Sequence, residues 1–213
     1  MRAFDLKVRA CWMLALSLLW LGAGAQAARA ERDDPAASPA KAVVRDTVDA
    51  VIEVLATPNM KKEARISAIQ EITYKHFDFA TMSRLVLARN YKKFSPEERG
   101  IFVEEFKAYL SRSYGVRLDR YAQEKVDVLR GRLEQRGDVT VYTRIVGGKN
   151  DGIEVNYRMR ARDDVWRVID VVIEGVSLVA NYRSQFKEVM NEGGPQLLLE
   201  KLKNKNVEFE DPT

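Results

Sequence analysis

Apolar positions change their period along the chain. Between about residues 41 and 121 they recur every three to four residues, the spacing that lines one side of a helix. Val44, Val48, Val51 and Leu55 form the first stripe, and Thr57-Pro58-Asn59 ends it. A second helix is predicted over roughly Lys61 to Tyr74, carrying Ile66, Ile69 and either Ile72 or Thr73. Asp78 is placed to cap a short third helix with Met82, Leu85 and Val86 inward. Ser95-Pro96-Glu97-Glu98 has the form of a capping box with proline at the first helical position. The helix it starts is predicted to run to about Tyr121. Val103, Phe106, Leu110, Tyr114 and Tyr121 share one side, with Phe102 and Tyr109 beside them.

The period then becomes two, the signature of strands. Lys125 to Leu129 and Val139 to Ile145 are the first two strands, and Gly147 to Gly152 is a turn. Ile153 to Ala161 alternates most clearly. Ile153, Val155, Tyr157, Met159 and Ala161 are expected on one face, with Glu154, Asn156, Arg158 and Arg160 on the other. Trp166 to Ile173 is rich in β-branched residues on both faces, which predicts a central, doubly covered strand. Asp170 and Glu174 interrupt it four residues apart, on one strand face, and predict an ion pair with Arg183 or another helix-borne arginine. Gly175 breaks the strand. Ser177 caps a helix with Leu178, Tyr182, Phe186 and Val189 on one stripe. Gly193-Gly194 ends that helix, and Pro195 opens a last one carrying Leu198, Leu199 and Leu202, with Lys201, Lys203 and Lys205 near its C-terminus. Helices, then strands, then helices predict an α+β fold: a mainly antiparallel four-stranded sheet packed against several helices.

The N-terminus reads differently. Arg2, Lys7 and Arg9 precede the apolar run Cys11 to Leu21, and Ala25-Gln26-Ala27 and Ala28-Arg29-Ala30 follow it. Residues 1–30 are therefore expected to be a signal peptide, cleaved after Ala27 or Ala30, of a protein exported by a bacterium. Residues 31–40 are expected to be a disordered lead-in, 41–206 a single domain and 207–213 a loose tail. The chain's one cysteine, Cys11, lies within the signal, which leaves the mature chain without thiol or disulfide chemistry.

Charge changes with the signal. The full chain has 35 basic and 31 acidic residues, a formal +4. Residues 1–30 hold four bases and one acid, which leaves 31 and 30, or +1, for the rest. That balance argues against nucleic acid as a partner.

Catalytic parts are sparse. His76 is the only histidine, too few for an ordinary metal site, and no phosphate loop or nucleophile elbow is present. No cofactor, metal or catalytic residue is expected. The acids and base available to a rival enzymatic reading are Asp170, Glu174 and His76.

The pattern Trp166-x-Val168-x-Asp170-Val171-x-x-Glu174-Gly175-Val176-Ser177-Leu178, followed by Asn181 to Phe186, resembles the MlaC family, once called toluene-tolerance proteins. Val86 to Arg89, then Ser95 to Glu98 with Phe102 and Phe106, is similar to the family's middle, and Gly193 to Leu202 to its end. Ile169 stands where the family pattern would have tyrosine. The resemblance implies a periplasmic phospholipid carrier, not an enzyme; nothing in the sequence demands an oligomer, and a monomer is expected. It would pass lipid between an outer-membrane lipoprotein complex and an inner-membrane ABC transporter complex and so support outer-membrane asymmetry. The alternatives are a carrier of another hydrophobic cargo, such as a hopanoid, or a periplasmic enzyme with a related cone-shaped cavity.

Under that implication the acyl chains would lie in an apolar pocket between the inward sheet face and the helices. The candidate residues on the sheet are Val141, Ile153, Val155, Tyr157, Met159, Val168 and Val172. Those on the helices are Phe106, Leu110, Tyr114, Leu178 and Tyr182.

Overall fold

The computed structural model describes residues 33–118, 124–204 and 209, with side chains for all of these except 115–118. The expected signal peptide, Tyr121 and Lys205 lie outside the described residues, as does most of the expected tail.

The fold is α+β. A 3-10 turn, Pro35–Ala37, leads into α1, Ser38–Ala56. Helices α2, Lys62–His76, and α3, Phe79–Leu87, follow. Asp78 caps α3 by accepting from the Thr81 N–H at 2.8 Å. Helix α4 spans Pro96–Leu118, and its capping box is formed in both directions. The Glu98 N–H donates to Ser95 Oγ at 3.1 Å, and the Ser95 N–H donates to Glu98 Oε2 at 2.7 Å.

The strands are β1, Lys125–Leu133; β2, Val139–Val146; β3, Val155–Arg162; β4, Val165–Ile173; and β5, Val176–Ser177. They pair in chain order, all antiparallel. The sheet thus has five strands, not four. The fifth is the two-residue return of the chain after Glu174 and Gly175, both at positive φ (47° and 82°). Strand β4 is consequently next to last, not central. Its outer edge is protected by other means. Phe77 forms a parallel bridge to Val168, and the Asp78 N–H donates to the Val168 carbonyl at 2.9 Å.

Helix α5 runs Leu178–Lys203 with a break at Gly193 and Gly194, where the expected boundary lies. Gly194 has φ 68° and ψ −159°, a conformation essentially restricted to glycine. Pro195 starts the second half, where its missing N–H leaves no interior bond unmade.

The expected lead-in is ordered in residues 33–40. Asp33 Oδ1 accepts from the Gly131 N–H at 2.8 Å, and the Asp34 N–H donates to the Gly131 carbonyl at 2.9 Å. Ala37 and Ala40 are fully buried. A Cβ on Gly131 would stand 2.4 Å from that of Ala37. Only small residues permit this approach, so a Pro/Ala-rich segment that reads as disordered docks on a glycine far along the chain. Phe209, in the expected loose tail, is likewise held. Its ring packs on Tyr109 and Phe186, with centroids 5.4 Å and 4.9 Å away, and its N–H donates to Tyr109 Oη at 2.9 Å.

One hydrophobic cluster joins the sheet to α1, α3, α4 and α5. Between α4 and α5 it is aromatic: Phe102, Phe106, Tyr109, Tyr182 and Phe186 meet mostly edge to face, 5.6–5.8 Å between centroids.

Candidate lipid-binding site and family

Strand pairing assigns the sheet's two faces. Val139 pairs with Met159 and Met159 with Val168, while Val141 pairs with Tyr157 and Tyr157 with Val171. These residues form the core face. Thr140, Arg158 and Asp170 pair across the same strands one position on, and so form the outer face.

A register shift between Arg158 and Met159 leaves Ile169 unpaired opposite them. It shifts the period of β4. Val168, Val171 and Ile173 serve the core side, whereas Val172 turns to the outer side with Asp170. The expectation that Val168 and Val172 share one strand face is therefore corrected. The expected polar face of β3 is also uneven: Asn156 is buried, and its Oδ1 accepts from the Thr143 N–H at 3.1 Å.

Seven of the twelve candidates lie within the buried cluster: Phe106, Leu110, Val141, Met159, Val168, Leu178 and Tyr182. Tyr114, Val155 and Tyr157 are half-buried and pack against it. Ile153 sits before β3, outside the cluster, its N–H donating to the Asn150 carbonyl at 3.2 Å.

The core face is not uniformly covered. At the end holding Val139, Met159 and Val168 it is sealed. At the other end Val126 and Val128 of β1, Val155 and Tyr157 of β3, and Ile173 of β4 remain half-buried apolar residues. Tyr114, near the C-terminal end of α4, packs on the same cluster, its hydroxyl 3.4 Å from that of Tyr182. This half-open apolar end is the candidate site. Val126, Val128 and Ile173 are its unforeseen members. Alternation in Lys125-Val126-Asp127-Val128 could have shown the first two; Ile173 was hidden by the register shift.

Titratable groups lie elsewhere. Asp170 is 2% exposed. It accepts from Ser177 Oγ at 2.6 Å and the Val179 N–H at 3.0 Å, and pairs with Arg158 at 3.3 Å. Burial pushes its carboxyl above the ordinary range, and those bonds and the arginine charge oppose the shift without cancelling it. The expected pairing with Arg183 is not made: Arg183 Nε donates to the Leu85 carbonyl at 2.9 Å. Nor is Glu174 a buried neighbour of Asp170. It is exposed in the β4–β5 turn, where its Oε1 accepts from the Glu154 N–H at 2.6 Å. His76, in the last turn of α2, is held below its usual value by burial and then by the Lys75 charge. No group of three or more potential metal ligands occurs among the described residues. No helix among them is long and apolar enough to cross a membrane.

An antiparallel sheet packed on helices, its core face sealed at one end and only half-covered at the other, defines an α+β domain. The phospholipid-binding protein from Ralstonia solanacearum, solved in complex with a phospholipid, has this fold. The TM-score is 0.69 at 23% identity, over 76% of this chain and 93% of that one. The family model described as MlaC protein matches residues 45–204, and the chain belongs to that family. A further relative is the toluene tolerance protein ttg2D of Pseudomonas putida, 24% identical over 131 residues. That match spans 61% of this chain and 61% of the relative's length.

Proposed function

We propose that this chain is a periplasmic phospholipid carrier whose acyl-chain site begins at the half-open end of the core face. The supporting observation is the run of half-buried apolar residues from Val126 through Val155 and Tyr157 to Ile173, continuous with the buried cluster in a chain of the MlaC family. The similarity to a protein solved with phospholipid adds to it. The remaining candidates, from Val141 and Met159 to Phe106 and Tyr182, would form the depth of the pocket once the helices separate from the sheet.

The physical need is large. Two ordinary acyl chains carry about 30 methylenes, and at ~0.8 kcal/mol each their exposure to water costs on the order of 20 kcal/mol. A carrier replaces most of that contact with apolar protein. Dispersion and burial are indifferent to chain detail, so varied tails are accepted, while the head group stays hydrated at the mouth. In this reading the donor and acceptor are an outer-membrane lipoprotein complex and an inner-membrane ABC transporter, and the protein works as a monomer. Acid–base turnover is less favoured. Asp170 is engaged by a helix cap and an arginine, and Glu174 by a turn N–H.

Native mass spectrometry of protein purified without detergent tests the reading. A retained phospholipid mass, lost in a folded Val155→Arg variant, is expected. Empty wild-type protein, a sterol-like or peptide mass, or undiminished lipid in the variant would contradict it.

A further inference from the structure

A cleft of about 190 Å³ opens on the outer side of the sheet, between β3–β4 and the first turn of α5. Its polar lining belongs to the outer face of the sheet, while Leu85 and Val179 join it to the edge of the hydrophobic cluster; its argument is independent of the carrier reading. Three guanidinium groups line it, Arg158, Arg160 and Arg183, against two carboxylates, Asp138 and Asp170.

Both carboxylates are already committed. Asp138 is held in a two-pronged pair by Arg160, both bonds 2.7 Å. Asp170 accepts from Ser177, Val179 and Arg158. Arg183 is different. Its Nε is fixed by the Leu85 carbonyl, and it has no carboxylate partner among the described residues. Arg158 gives Nη1 to Asp170, and no further hydrogen bond from its side chain to a described residue is present. Both residues line the same cleft, so three guanidinium charges stand there against two carboxylates, and Arg158 and Arg183 keep guanidinium nitrogens outside the bonds named above. Guanidinium forks match oxyanions. The volume equals on the order of six waters at ~30 Å³ each, enough for a tetrahedral oxyanion with part of its hydration. Leu85, Ile169 and Val179 form the cleft's apolar walls. The start of α5 adds partial positive charge, although its Val179 and Ala180 N–H groups are already bonded.

We propose that this cleft is an anion site that takes a phosphate group, held by Arg183 and Arg158. The phosphate could belong to a free ion or to a lipid head group at a membrane surface.

The test is thermal unfolding of the full mature chain against inorganic phosphate, with chloride matched for ionic strength. Saturable stabilisation is expected in the wild type and in Arg99→Gln, where the lost arginine likewise holds a backbone carbonyl, that of Tyr91, but elsewhere. It is expected to fall at least fivefold in midpoint affinity in Arg183→Gln. Cosedimentation with phosphatidylglycerol vesicles separates the sources. Vesicle binding that phosphate competes away, and that Arg183→Gln weakens, identifies a head group; phosphate binding without vesicle binding identifies a free phosphate. Stabilisation that never saturates, or that Arg99→Gln and Arg183→Gln alter equally, would overturn the site. Filling the cleft by Ala180→Phe keeps every arginine and should also abolish the phosphate effect; a retained effect would place the anion elsewhere.

Discussion

The two ends of the core face carry similar residues and behave differently. At one end Val139, Met159 and Val168 are sealed; at the other Val126, Val155 and Ile173 are half-exposed. β-branched residues occupy both, so side-chain type does not make the difference. Cover does. Over the sealed end Ala37 closes onto Gly131, and the junction of α2 and α3 bonds to Val168. The lesson is that one surface can be fully packed at one end and left half-covered at the other, and the proposed reading gives ligand access to the half-covered end.

Substitution can break that division. Met159→Ala at the sealed end is expected to cost about 2 to 5 kcal/mol, because it leaves a cavity in fully packed surroundings. Val155→Ala at the half-open end should cost about 1 kcal/mol, since only part of its surface leaves water. Urea denaturation measures both, and equal costs would erase the distinction.

Asp170→Ala is expected to cost about 3 kcal/mol by leaving the Val179 N–H and Arg158 without their acceptor. The pH dependence has a definite sign. Because burial raises the folded pKa of Asp170, the folded state holds its proton more tightly than the unfolded chain. That contribution is present below the ordinary carboxylate range and disappears as pH rises through the folded pKa. Wild-type stability should therefore fall relative to Asp170→Asn over the interval above the ordinary range. A difference independent of pH would contradict the shift.

Gly131→Ala should cost about 2 kcal/mol, as its added Cβ would collide with Ala37. Proteolysis should then cut first before residue 38. Unchanged protection there would mean that the Ala37 contact does not hold this segment.

Much of this was legible in the residues. The capping box at Ser95 and the Ser177 cap are local chemistry, written within four residues and formed as read. The break at Gly193-Gly194 was equally local. What escaped depended on distant partners. The register shift that turns Val172 outward needs both β3 and β4 to be seen. The docking of residues 33–40 needs Gly131, and the seating of Phe209 needs Tyr109. Within the candidate site, alternation found Val155 and Tyr157, but it could not tell sealed residues from half-open ones, because that depends on which helix lies above.

The most direct measurement is photo-crosslinking with a phospholipid carrying a diazirine on its acyl chain, mapped to single residues by tandem mass spectrometry. Adducts are expected on Val126, Val128, Val155, Tyr157 and Ile173, with Tyr114 beside them. Adducts confined to outer-face residues such as Thr140, Arg158 and Val172, or no adduct despite retained lipid, would contradict the account.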